Sequence, residues 1–217
     1  MKSKVAIIGC GAIADNGHIP AYKKNPNVEI AYFCDTVLER ARKAVEKYSC
    51  GKAVQYYREI LKDGSVDAVS ICTPNNMHSV MAIDCMRAGK HVLCEKPAAR
   101  TYEEVLEMQR VQHETGKVLI IGVVNRFSDS VNMIKKYIDD GKLGEVYHVY
   151  ISFRAHRSIP GLGGAFTTKA IAGGGALIDW GVQANQRFNY TRMERRPGTD
   201  KIAATAYAHV EYSIGRI

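Results

Sequence analysis

The sequence predicts an α/β fold in which a doubly wound parallel sheet leads into a second α/β region with antiparallel strands. Three observations carry this. Apolar runs alternate with segments of helical period through residue 123, the first run stops at a glycine turn, and from Glu145 the periodicity changes to strict alternation. Continuous apolar strands suit a sheet covered on both faces, whereas alternation suits a strand with one wet face.

The first run is Lys4 to Ala14, KVAIIGCGAIA. Val5 to Ile8 reads as a buried parallel strand, and Gly9 permits the tight turn after it. Gly11 lets the backbone approach a pyrophosphate, and Ala14 lets the next helix pack closely while its first N–H groups, near Ala12 and Ile13, face the phosphates. The pattern is a G-x-G-x-x-A dinucleotide fingerprint. A second apolar strand, Val28 to Cys34, ends in Asp35, at the spacing where an acid holds adenosine ribose hydroxyls. The competing reading of Asp35 is an N-cap for the helix Thr36 to Tyr48.

Composition narrows the function classes. The chain has 217 residues, 46% hydrophobic and 24% charged, which fits one or two globular domains. The formal charge of +8 is spread along the chain without an aromatic-interleaved basic cluster, so no nucleic-acid partner is expected. Six cysteines with no C-x-x-C pair read as reduced, apolar side chains in a cytoplasmic protein, and no metal site is expected. The basic, apolar start imitates a signal peptide, but its glycines and βαβ continuation argue against one. No run has the length of a membrane span.

Further along, Ala53 to Gln55 and Tyr57 to Lys62 read as a short strand and a short helix. Ala68 to Cys72 is a strand ending in Thr73, Pro74 and Asn75, with a helix from about Met77 to Ala88. Strand Lys90 to Cys94 delivers Glu95, Lys96 and Pro97 to the same rim, because loops at the carboxyl ends of parallel strands line the ligand crevice. Thr101 and Glu104 form a capping box for a helix running to about Thr115. Val118 to Val123 is another buried strand, with Asn125 and Arg126 after it. His78 is placed as a cofactor-side contact.

These motifs, GCGAIA, the strand-ending Asp35, TPNNMH, CEKP, NRF and the later GGGALIDWG, resemble the Gfo/Idh/MocA family of nicotinamide-dependent oxidoreductases over residues 1 to 182. The resemblance implies a Rossmann domain over residues 1–123. A shortened α/β substrate and oligomerisation domain with a mostly antiparallel sheet would follow over 124–217. It implies hydride transfer between NAD, less readily NADP, and a carbinol carbon of a sugar, inositol or related polyol. Lys96 would lie beside nicotinamide and substrate. Gly9, Gly11, Ala12, Ile13, Asp35, Thr73, Pro74, Asn75, His78, Glu95, Lys96 and Arg126 fall on the cofactor side. Lys96, Arg154, Asp179 and Gln183 fall on the substrate side, with Lys96 and Asp179 catalytic.

The second region opens with a helix, Ser130 to Asp140, ended by Gly141. In the strand Glu145 to Arg157 the face carrying Arg154 is the more polar one, and in the family such a face often meets another subunit, so a homo-oligomer is expected. The glycine-rich stretch 159–175 reads as a long loop before a helix carrying Asp179. The family pattern has Asp-x-x-x-His on that helix, and this chain has Gln183, which hydrogen-bonds but does not shuttle protons. After it the arginine-rich ending ceases to resemble the family. Three readings stand: a dehydrogenase, a non-catalytic NAD-binding sensor or regulator, and a truncated or frame-shifted product.

Overall fold

The computed structural model describes residues 2–146, 164, 165, 167–174 and 178. The chain folds as two compact units, Met1–Gly122 and Val123–Ile217. In the first, six parallel strands, β1 Ser3–Ile8, β2 Val28–Cys34, β3 Lys52–Val54, β4 Ala68–Ile71, β5 His91–Glu95 and β6 Leu119–Gly122, lie in the order β3-β2-β1-β4-β5-β6. Strand order reverses between β1 and β4, which is where such sheets open a ligand crevice at their carboxyl ends.

The central apolar runs are continuous because both faces are covered; the run read as a buried strand over Val118 to Val123 is instead the edge strand β6, with Val118 49% and Ile120 55% exposed. Along β1, Val5 and Ile7 pack with Ile19, Phe33 and Ala41 on one side. Ala6 and Ile8 pack with Ile60, Met81 and Met86 on the other. Helices α1 Ile19–Lys24 and α2 Leu38–Tyr48 supply the first layer, while α3 Tyr57–Leu61, α4 His78–Arg87 and α5 Tyr102–Thr115 supply the second.

Two local departures from the expected elements have clear causes. Ahead of α1 the chain makes a π-helical turn, Ala14–His18, in which the Ile19 N–H donates to the Ala14 carbonyl. Pro20 has no N–H and its ring crowds the carbonyl four residues back, so the α-ladder cannot continue there and the turn widens. The result puts Ala14 and Ile19 in the core and turns the His18 ring inward. At α5 the expected capping box is half made. Thr101 Oγ1 accepts the Glu104 N–H at 3.2 Å, while the Glu104 carboxylate takes the Arg100 N–H and guanidinium, both at 2.9 Å.

At the amino-terminal edge of the sheet, Asp63 ties several loops together. Its carboxylate accepts the Ser65 N–H and the Tyr32 hydroxyl, each at 2.8 Å, and its carbonyl accepts the buried Lys90 ammonium at 2.6 Å. Hydrogen bonds from Ser65 and then Tyr32 hold the Asp63 carboxyl down at about 2. A carboxyl depressed by folding stabilises above its ordinary range and loses that contribution as pH falls toward the folded value. The stability gap between wild type and Asp63→Asn is therefore expected to be open at pH 5–7. It should close on acidification from about pH 4 to about pH 2 in urea melts.

In the second unit, a 3-10 turn Val124–Phe127 precedes α6 Asp129–Asp139, which ends near Gly141 at φ 69°. A one-turn helix, α7 Lys169–Ala172, lies inside the stretch read from sequence as loop. Lys, Ala and Ile favour helix between Thr168 and the glycine run, and Gly173 at φ 84° stops it. The strand expected over 145–157, with Arg154, and the segment carrying Asp179 and Gln183 lie outside the described residues, as does the antiparallel sheet.

Candidate functional site

Gly9 sits at the strand switch with φ +94°. A Cβ there would meet the Cys72 carbonyl oxygen at 2.5 Å and its carbon at 2.7 Å. The Gly9 N–H donates to the Cys34 carbonyl at 2.7 Å, so this glycine lets β1, β2 and β4 converge. Gly11 is different: a Cβ there would have no heavy atom within 4 Å. The fold demands glycine at the first position, while at the second it leaves open space on the rim where a pyrophosphate would approach. Gly9→Ala is expected to lower stability by about 1–3 kcal/mol through strain and clash. Gly11→Val should melt within about 0.5 kcal/mol of wild type and lose at least about tenfold in NADH affinity. Parallel thermal melts and NADH fluorescence titrations check both.

Asp35 is buried at the carboxyl end of β2. Its Oδ2 accepts the Cys10 N–H at 3.0 Å and its Oδ1 accepts the Val37 N–H at 2.9 Å. The carboxylate thus braces the fingerprint turn and the approach to α2. The N-cap reading is not met: α2 starts at Leu38 with Val37 as its N-cap, and Asp35, two residues earlier, instead holds the Val37 N–H in an Asx-type turn. Each carboxylate oxygen keeps further acceptor capacity for ribose hydroxyls. Arg40 lies 3.9 Å away and is 62% exposed, a weak pairing.

Cys10 and Cys72 line the same end of the sheet. Burial, then the Asp35 charge, pushes the Cys10 thiol up to about 12. Burial, then Glu95, does the same at Cys72. Both are neutral thiols at physiological pH and neither is an activated nucleophile. Among the described residues no His, Cys, Asp or Glu group is arranged to hold a metal ion, and no helix is long and apolar enough to cross a membrane.

After β4, Pro74 is exposed and the Thr73 hydroxyl lies 3.8 Å from Met81 Sδ. Asn75 begins a 3-10 turn, Asn75–Met77, that leads into α4. The His78 ring is wholly buried: Nδ1 lies 2.7 Å from the Pro97 carbonyl and Nε2 lies 2.8 Å from the Thr73 carbonyl. Both nitrogens are spent inside the protein, so the ring braces the rim and has no polar atom left for a ligand.

Glu95, Lys96 and Pro97 leave β5 at the same rim, with Lys96 half-buried and the Lys96–Pro97 peptide cis. The Glu95 carboxylate turns inward. Its Oε1 lies 2.8 Å from His18 Nε2, and its Oε2 accepts the Lys96 N–H at 3.1 Å. His18 Nδ1 in turn lies 2.7 Å from Ser70 Oγ, to which the Tyr22 hydroxyl donates at 3.3 Å.

Sequence reasoning does not single out His18, Ser70 or Tyr22. Their signal is faint but present: a serine inside the apolar run of β4, and a histidine and a tyrosine four and eight residues after Ala14, on the helix face that must meet the sheet. Arg126 lies in the 3-10 turn of the second unit, its side chain outside the described set. Arg154, Asp179 and Gln183 are likewise outside.

Comparison with known proteins agrees with this geometry. The family described as oxidoreductase family, NAD-binding Rossmann fold, matches residues 3–123, and the GFO/IDH/MocA C-terminal domain matches residues 131–184. D-glucoside 3-dehydrogenase of Escherichia coli K12 is 35% identical over 179 residues, covering 82% of this chain and 51% of that protein. The chain therefore spans about half the length of this curated relative.

Among solved structures, GenD2 from gentamicin A biosynthesis, in complex with NAD, superposes with a TM-score of 0.82 at 25% identity. That match covers 88% of this chain and 54% of that one. KijD10, a 3-ketoreductase from Actinomadura kijaniata in complex with NADP, gives 0.63 at 27% identity, covering 68% and 45%. With its fingerprint turn and parallel sheet in place, the chain belongs to the Gfo/Idh/MocA family of oxidoreductases and carries that family's NAD(P)-binding Rossmann fold.

Proposed function

We propose that the protein is an NAD-dependent oxidoreductase acting on a carbinol carbon of a sugar, inositol or related polyol. The observation that carries it is the placement of Gly9, Gly11, Asp35 and Lys96 at the carboxyl ends of β1, β2 and β5 of one parallel sheet, with open space at Gly11. Bound there, the nicotinamide supplies the hydride acceptor or donor. The first N–H groups of the helix after Gly11 would hold the pyrophosphate and Asp35 would accept from the ribose hydroxyls, with Thr73 and Asn75 as further cofactor-side residues. The Lys96 amine takes the proton of the substrate hydroxyl as the carbinol is oxidised and returns it in the reverse direction. Asp179 and Gln183 belong to the substrate side of this reading, with Asp179 assisting the proton transfer.

The sugar class is supported by the likeness to D-glucoside 3-dehydrogenase, and NAD over NADP by the carboxylate of Asp35. A sugar and polyol panel assayed for NADH formation tests the proposal. Turnover of at least one member, abolished in Lys96→Ala, is the expected result, and no turnover by a chain that binds NADH would contradict it. One residue favours a second reading, an NAD-binding member without catalysis: Gln183 stands where the family pattern carries a histidine. Turnover gained in Gln183→His from an inactive parent would mark that reading.

A further inference from the structure

We infer that His18 and His78 form a two-sided clamp that fixes the Glu95–Lys96–Pro97 turn and thereby places the Lys96 amine. The inference rests on the reading that Lys96 handles the substrate proton. His18, from the π-turn after the nucleotide fingerprint, grips the residue before Lys96 by its carboxylate at 2.8 Å. His78, from the start of α4, lies 2.7 Å from the carbonyl of the residue after it. Lys96 itself is tied back to Glu95 through its N–H at 3.1 Å. Three consecutive residues are thus held from two different helices.

The chemistry of each grip is specific. An ionised carboxylate only accepts, so His18 Nε2 carries the hydrogen toward Glu95. With a neutral ring its Nδ1 then accepts from Ser70, whose Oγ receives the Tyr22 hydroxyl, and every group in the chain is satisfied. Gly122 on the next strand leaves room for the carboxylate: a Cβ there would stand 3.2 Å from Glu95 Oε1. At His78 both partners are carbonyls, so each bond needs an N–H. The grip on the Pro97 carbonyl is made by the N–H on Nδ1. Apolar side chains would fill these positions at less desolvation cost. What the imidazoles add is direction, locking both ends of a turn whose middle residue must be held to a fraction of an ångström.

Variants that separate the two contacts of His18 provide the test. His18→Gln can keep a donor at Glu95 and drops Ser70, whereas His18→Asn can keep Ser70 and drops Glu95. His78→Gln retains an N–H donor and His78→Phe does not. Fold is verified by circular dichroism and NADH affinity by fluorescence, which should stay within about threefold in all four variants, under about 0.7 kcal/mol.

The expected result is a fall in kcat of about 10²-fold in His18→Asn and His78→Phe, with the Gln variants retaining most of it and substrate KM changing little. The readout independent of turnover is the NMR signal of ¹³C-methylated Lys96, identified by its loss in Lys96→Arg. It should move in His18→Asn and His78→Phe and stay near its wild-type position in the Gln variants. If Lys96→Ala leaves turnover intact, the functional reading fails. If Lys96→Ala abolishes turnover while all four histidine variants share the wild-type kcat and Lys96 signal, the clamp is overturned. Equal losses in the Gln and Asn variants of His18 would also overturn it, since they indicate loss of packing alone. Should His78→Phe not fold, His78→Gln and the His18 pair decide the matter by the same criteria.

Discussion

Lys96→Ala is expected to lower turnover by about 10²–10⁴-fold, the usual worth of a positioned acid–base group, while NADH affinity stays within severalfold. The expectation follows from where Lys96 sits. It leaves β5 at the carboxyl edge of the sheet between a buried glutamate and a buried proline, so its side chain starts from a fixed backbone. On the proposed reading, losing the amine removes the proton acceptor. A loss confined to KM would assign Lys96 to substrate binding alone. Steady-state kinetics on the best substrate of the panel separate these outcomes.

NADH is expected to bind at least about tenfold more tightly than NADPH, the scale of a hydrogen bond to a charged group that is exchanged for repulsion. Asp35 presents a buried carboxylate fixed by the Cys10 and Val37 N–H groups, so it cannot swing away from a 2′-phosphate. Arg40, mostly exposed and 3.9 Å from that carboxylate, is the residue able to offset this. Asp35→Ser should shrink the preference by weakening NADH and relieving NADPH, and Arg40→Ala should widen it. Equal affinity of the wild-type chain for both cofactors would overturn the role given to Asp35. Because KijD10 is seen with NADP and GenD2 with NAD, the fold alone does not set this choice.

Much of the first unit was legible because its central strands, β1 and β4, are largely buried on both faces and its turns have chemical demands, whereas at the sheet edge Ile120 of β6 is 55% exposed. Strand β2 has the predicted bounds, Val28–Cys34, and α5 begins after Thr101 and stops at Gly116 in the left-handed conformation, as an N-cap and a C-terminal glycine dictate. Gly9 and Gly11 stand in the fingerprint alike, yet they differ in space: one is packed against the Cys72 backbone and the other is open. Only tertiary packing makes that distinction.

The inward rotation of His18 depends on a widened turn at Pro20. The turn is foreseeable as a break in the ladder, but the residue it swings toward the sheet is not. His78 looked like a ligand contact because it follows a rim loop, whereas its ring fits between two carbonyls that are distant in sequence. Asp35 carries one bond that no spacing rule foretold, joining it to Cys10 across 25 positions of chain.

Every functional role assigned above depends on where a dinucleotide binds. Amide ¹H–¹⁵N correlation spectra recorded during NADH titration address this directly. The predicted result is saturable shifts at Gly9, Gly11, Ala12, Ile13, Asp35 and Asn75, with the opposite edge of the sheet, at Lys4, Glu29 and Lys52, unmoved. Shifts centred on Lys4, Glu29 and Lys52, or none at Gly11 and Asp35 at saturating NADH, would contradict it.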